Sequence, residues 1–270
     1  MHTVDSIPVA LVGCGNLGSK IAEDLHKAGP YSLVATLDIP MPSRAKAVAS
    51  MYGGRGCDTL DELLATNPRY VIEAATVQVF KDMALPVLQH GADLIILSAG
   101  AFADDDFVDT LRSEARALGR IVHVPSGAIG AFDLAQAARA AGDLSCSMYT
   151  EKPPAALEGA PWLKGRTLSR EVAETVYEGT ARQAIAAFPQ NVNVVTAMAF
   201  ASVGVDAVTA TVISSPERTL NKHTIVFEGA FGKARCEIEA RPSPQNPRSS
   251  MLAAYSIIAL LQKLADPIRF

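Results

Sequence analysis

The run Pro8-Val9-Ala10-Leu11-Val12 breaks directly into Gly13-Cys14-Gly15-Asn16-Leu17-Gly18. Glycines at this spacing arise easily by chance, so context decides what they mean. Here an apolar strand precedes them. A helix over Ser19 to Lys27 follows, with Ile21, Ala22 and Leu25 on one face and Gly29-Pro30 at its end. In that setting Gly13 allows the tight turn and Gly15, lacking a Cβ, lets a pyrophosphate approach the backbone. Gly18 lets the helix lie close to the sheet. The amides of Asn16 and Leu17 then face the phosphates, with the helix dipole behind them.

Leu33 to Leu37 reads as a second buried strand, and Asp38 stands at its carboxyl end. An acid there accepts the ribose hydroxyls of NAD and repels the 2′-phosphate of NADP. Arg44, nearby, offsets part of that repulsion and keeps NADP within reach.

The alternation continues through residue 125. Helices are expected over Arg44 to Met51, Thr59 to Ala65, Val79 to His90 and Asp104 to Leu118. Strands are expected over Tyr70 to Ala75, Asp93 to Ser98 and Ile121 to Val124. Strands that read as continuous apolar runs between helices imply a parallel sheet covered on both faces, a Rossmann domain over 1–125. The strand ends at Ala75-Thr76 and Ser98-Ala99-Gly100 are small, as a passing nicotinamide ribose requires.

Past Pro125 the texture changes. Gly127-Ala128-Ile129-Gly130 leads into a helix over Asp133 to Ala141, then a strand over Leu144 to Thr150, and the proline-rich Lys152 to Pro161 reads as loop. Thr209 to Ser214 and Thr224 to Glu228 read as strands. Ala234 to Arg241 alternates, with Ala234, Cys236, Ile238 and Ala240 on one face and Arg235, Glu237, Glu239 and Arg241 on the other. One wet face implies an antiparallel or mixed sheet. A second, α+β domain for substrate and dimerisation is therefore expected over 126–245. Asn246-Pro247 reads as the start of a final helix running to 270, apolar on most sides and packed on the first domain or at a subunit interface.

A net charge of −4 leaves no electrostatic footprint for nucleic acid or an anionic membrane. Met1 to Pro8 lacks the basic and apolar regions of a signal peptide, and no apolar stretch reaches the ~18 residues of a membrane span. The four cysteines, Cys14, Cys57, Cys146 and Cys236, form no CxxC pair. Reduced thiols in a cytoplasmic protein, with no metal site, are expected.

Several segments resemble the L-aspartate dehydrogenase family. They are the Gly13–Gly18 loop, Ser126-Gly127-Ala128-Ile129-Gly130, Lys152-Pro153-Pro154, Phe188-Pro189-Gln190-Asn191-Val192-Asn193-Val194, Asn221-Lys222-His223 and Asn246-Pro247. The resemblance implies oxidation of L-aspartate to iminoaspartate with NAD or NADP, supplying pyridine-nucleotide biosynthesis or aspartate metabolism, by a homodimer. It implies His223 as the catalytic histidine, and Ala128 and Asn193 as cofactor contacts. Of the five histidines, His2 is terminal, His26 and His90 sit late in helices, and His123 lies in a strand, in core or cleft. His223 follows Asn221 at a strand entrance, where a loop would aim it, and a pKa near neutrality would suit proton transfer. Lys152 is the obvious cation for a substrate carboxylate. Glu151, however, stands where the family usually has Arg. That departure keeps open a dehydrogenase or reductase of another amino or imino acid. A non-catalytic NAD-sensing protein is the reading from a different class.

Overall fold

The computed structural model describes residues 6–39, 41–189, 193–243 and 246–268. The chain divides into two compact units, residues 1–127 with 253–270, and residues 128–252.

The first unit is built on six strands: β1 (Ile7–Val12), β2 (Tyr31–Leu37), β3 (Arg55–Cys57), β4 (Tyr70–Glu73), β5 (Asp93–Ile96) and β6 (Val122–His123). Their order is β3-β2-β1-β4-β5-β6 and every pairing is parallel. The helices are α1 (Asn16–Asp24), α2 (Pro42–Tyr52), α3 (Leu60–Leu64), α4 (Val77–His90) and α5 (Asp105–Leu118). Thr59, Thr76 and Asp104 cap α3, α4 and α5 by accepting from the amides of Glu62, Val79 and Phe107. The doubly wound sheet is thus as expected. The short β3 was missed because its three residues include Arg55 and Gly56 and carry no apolar run.

The second unit holds a five-stranded sheet. Its strands are β7 (Ser145–Lys152), β8 (Glu174–Thr180), β9 (Thr209–Ser214), β10 (Asn221–Gly229) and β11 (Gly232–Ala240), in the order β11-β10-β7-β9-β8. The β7–β9 pair is parallel and the others antiparallel, so the sheet is mixed. Helices α6 (Phe132–Ala140), α7 (Pro154–Leu157), α8 (Ala181–Ala187) and α9 (Asn193–Ala201) complete the unit, with a small β12 (Pro242–Ser243) and β13 (Asn246–Ser250) hairpin. Its core gathers Met148, Val212, Ile225, Phe227, Phe188 and Met198.

Some expectations fail locally. Lys152 is the last residue of β7, not loop, because its pairing with Ser214 continues the β7–β9 ladder. Asn246-Pro247 begins β13 rather than a helix: the segment pairs with β12, and the last helix, α10 (Leu252–Ala265), starts later, with Ser250 Oγ accepting from the Leu252 amide.

One face of α10 is buried in the first unit's core. Ala254, Ile257, Ile258 and Leu261 pack with Val9, Ile21 and Leu33. The Tyr31 hydroxyl donates to the Leu261 carbonyl at 2.9 Å, and the Gln262 side-chain amide donates to the Lys27 carbonyl at 2.8 Å. Tyr255 and Leu252 remain exposed, so the helix is not buried on most sides as its composition suggested.

Candidate functional site

The glycine loop opens where strand order reverses, between β1 and its neighbours β2 and β4, the place where doubly wound sheets receive ligands. Gly13 has φ +93°, and a Cβ there would come within 2.5 Å of the Ala74 carbonyl oxygen. A Cβ on Gly18 would come within 1.8 Å of the Gly13 carbonyl oxygen, so helix and turn pack at backbone contact. Gly15 differs. A Cβ there would meet nothing closer than Arg44 Nη1 at 3.9 Å, so its role is to keep the space in front of the loop clear. Gly15 is also the N-cap of α1, and no side chain caps that end. The first-turn amides of Asn16, Leu17 and Gly18 precede any intrahelical partner. The loop therefore fits a pyrophosphate.

Asp38 is buried at the end of β2. Its Oδ2 accepts from the Cys14 amide at 2.9 Å and lies 3.5 Å from Arg44 Nη1. The glycine loop thus orients the Asp38 carboxylate, with the Cys14 amide and Arg44 meeting the same oxygen. Burial and the neighbouring Asp38 charge push the Cys14 thiol up to about 12, so it stays protonated. Ala75 is half-buried and Thr76 exposed, at the loop between β4 and α4.

Glu73, at the end of β4, lies in the stretch Tyr70 to Ala75 that reads from sequence as a plain buried strand, with no role for the acid. Its side chain is fully buried. It accepts from the amides of Ala75 (2.7 Å), Leu97 (3.3 Å) and Ser98 (3.0 Å) and from the Ser98 hydroxyl (2.7 Å). One carboxylate thus ties the ends of β4 and β5 together beside the loop. Burial raises its pKa and these four donors oppose the rise. A charged residue inside an apolar strand, followed by small residues, was the available signal.

In the second unit, Thr150 and Lys152 of β7 and His223 of β10 share the buried inner face. His223 pairs with Thr150 in register, and its Nδ1 is hydrogen-bonded to Thr150 Oγ1 at 3.1 Å. It sits within β10 rather than on a loop, because pairing with β7 and β11 begins before it. Burial, reinforced by the Lys152 charge, pushes its pKa down to about 3, not near neutrality. Burial likewise pushes Lys152 down to about 8. A neutral imidazole beside an ammonium can accept a proton once an anion joins that ammonium.

Glu151 points to the opposite face, as alternation along a strand requires. Its Oε2 lies 3.1 Å from Arg218 Nη2, and its Oε1 3.9 Å from Lys222 Nζ. Ala128 is half-buried in the turn after Gly127, and Asn193 is the half-buried first residue of α9. Gln190, Asn191 and Val192 of the same motif, and His2, lie outside the described residues. His26 and His90 are exposed and belong to neither cluster. His123 lies beside Tyr70, ring centroids 6.1 Å apart and tilted by 58°, and burial lowers its pKa.

A family model described as aspartate dehydrogenase, C-terminal, matches residues 133–264, and one described as homoserine dehydrogenase, NAD binding domain, matches residues 13–125. The L-aspartate dehydrogenase of Methanosarcina acetivorans is 34% identical over 97% of this chain and 98% of its own. That of Methanococcus maripaludis is 33% identical over the same shares. The crystal structure of aspartate dehydrogenase from Thermotoga maritima matches with a TM-score of 0.74 and 27% identity, covering 98% of this chain and 99% of that one. GenD2 from gentamicin A biosynthesis, solved with NAD, shares the fold at a TM-score of 0.55 and 18% identity, over 100% and 90% of the two chains.

Proposed function

The chain belongs to the L-aspartate dehydrogenase family, and from that premise we propose that it oxidises L-aspartate to iminoaspartate with NAD, and with NADP less readily. The observation that carries the reading is the burial of both Lys152 and His223 on one sheet face, with Glu151 turned away to Arg218.

The first unit holds the dinucleotide: the loop of Gly13, Gly15, Asn16, Leu17 and Gly18 takes the pyrophosphate and Asp38 the adenosine ribose. Ala75 borders its path, and Ala128 and Asn193 remain proposed contacts on the resemblance. Bound there, the nicotinamide ring supplies a hydride acceptor. The second unit acts on the amino acid. Lys152 holds a carboxylate through its buried charge, which is strong because water is excluded. That carboxylate offsets the Lys152 charge on His223 and lifts the imidazole's basicity when substrate is present. His223 then takes a proton from the substrate nitrogen as the Cα–H bond breaks.

The rival reading, in which Glu151 selects a neutral or basic amino acid, loses its support because Glu151 is neutralised by Arg218 on the other face. The resemblance further proposes a homodimer acting in aspartate metabolism or pyridine-nucleotide biosynthesis. Free thiols at Cys14, Cys57, Cys146 and Cys236 accord with a cytoplasmic location. Among the described residues no helix is long and apolar enough to cross a membrane. The test is a panel of L-amino acids with NAD and NADP, followed at 340 nm. L-Aspartate should give the highest kcat/KM, and a faster lysine or neutral amino acid would overturn the assignment.

A further inference from the structure

The inner face of the second sheet changes character along its strands. Across β9, β7 and β10 one row is Ala210, Met148 and Ile225, and the next is Val212, Thr150 and His223. At the carboxyl ends of the parallel pair the row becomes Ser214 and Lys152, with Asn221 opposite Lys152 one step beyond the Lys222–Glu151 pairing. This last row is polar yet closed to solvent: Ser214 is 0% exposed, Lys152 2% and Asn221 3%.

Two atoms in the row have no hydrogen-bond partner among the described residues, Ser214 Oγ and Asn221 Oδ1. Buried polar groups are nearly always paired, and leaving one unpaired destabilises the fold. Two such atoms, on the residues either side of a buried lysine in one row of the sheet, mark a place prepared for a ligand. Their chemistry differs. A carboxamide oxygen only accepts, whereas a hydroxyl also donates. The row thus offers an acceptor on one side of a cation and a donor on the other, which matches the ammonium and carboxylate carried on one Cα.

We propose that Ser214 and Asn221 are amino-acid-binding residues, Asn221 Oδ1 accepting from the substrate ammonium and Ser214 Oγ donating to the carboxylate held by Lys152. The inference rests on the amino-acid dehydrogenase reading above and deepens it. It also accounts for the placement of His223 two residues from Asn221 on the same strand face. The substrate nitrogen held by Asn221 is then presented to the imidazole that takes its proton.

The test is calorimetric titration of the NADH-saturated protein with L-aspartate and with succinate, which lacks the ammonium. Asn221→Leu should weaken L-aspartate about tenfold or more, the loss of one charge-assisted hydrogen bond, and leave succinate within about twofold. Ser214→Ala should weaken both ligands alike. Asn221→Asp, which is isosteric and keeps the acceptor, should retain L-aspartate and weaken succinate, and decides the matter if the leucine variant does not fold. Equal losses of both ligands in the Asn221 variants, or no change in either, would overturn the proposal. If the wild type binds and turns over a different α-amino acid, the substrate assigned above is wrong. The same comparison, run with that amino acid and its deaminated analogue, then decides the row. A wild type that binds no amino acid overturns both.

Discussion

The Thr150 hydroxyl and His223 Nδ1 share a 3.1 Å hydrogen bond between β7 and β10, with both side chains withdrawn from solvent. That bond fixes the ring and leaves Nε2 as the nitrogen for proton transfer. His223→Ala should lower kcat by roughly 10²–10⁴ and leave NADH affinity within a few-fold, since general acid–base catalysis contributes about that much. Steady-state kinetics and NADH fluorescence titration check the two halves. Near-normal turnover would remove His223 from the mechanism.

The same burial has a stability signature. His223 is held down at about 3 in the folded chain, against an ordinary value of 6.5. Between those values the unfolded chain takes up a proton that the folded chain refuses. Stability is therefore present above pH 6.5 and lost as pH falls towards 3, by about 1.4 kcal/mol per pH unit for one proton. His223→Asn should flatten that part of the stability profile in urea melts from pH 7 to 4. An unchanged slope would mean that His223 titrates elsewhere.

Lys152 makes a paired prediction. Its folded value of about 8 lies below the ordinary 10.5, so the unfolded chain holds the proton more tightly between them. Below pH 8 the folded chain bears the cost of a buried charge, and stability recovers as pH rises through that window. Lys152→Met should raise Tm near pH 7, by an amount that narrows above pH 8, while KM for L-aspartate rises strongly. A lower Tm at pH 7 would show that the ammonium stabilises the fold.

Glu151→Arg tests the face assignment. Glu151 pairs with Arg218, which also lies 2.8 Å from Glu239. Placing a cation there sets it against Arg218 and Lys222 and should lower stability by about 1 kcal/mol, the scale of a partly exposed pair. KM for L-aspartate should stay within about twofold. A large fall in KM would mean that position 151 faces the substrate.

Asp38→Ser tests the cofactor. Removing the acid held by the Cys14 amide should shift the NAD/NADP ratio of kcat/KM by about 1.5–3 kcal/mol towards NADP, roughly tenfold to a hundredfold. An unchanged ratio would free Asp38 from the ribose.

The first unit was readable because its signals are local. Val9 to Val12 are buried in sequence, the glycines have steric reasons visible in the spacing, and Thr59 and Asp104 cap the helices they precede. Asp38 needed only its place at a strand end. The second unit was harder because its order comes from pairing across the chain. Lys152 beside two prolines reads as loop until Ser214 pairs with it, and His223 reads as a strand entrance until Thr150 faces it. Its depressed pKa depends on burial that no local pattern announces. Asn246-Pro247 carries a helix-start signal that pairing with β12 overrides. Strand β8, with Glu174 and Glu178 among its seven residues, lacks an apolar run altogether.

In the proposed reaction the substrate's Cα hydrogen leaves as hydride to the nicotinamide, and L-aspartate deuterated at Cα follows that atom. Incubated with NAD and the wild-type protein, it should yield NADH that carries the deuterium, as read by mass spectrometry. NADH formed without deuterium, or deuterium released to water, would rule out hydride transfer from Cα.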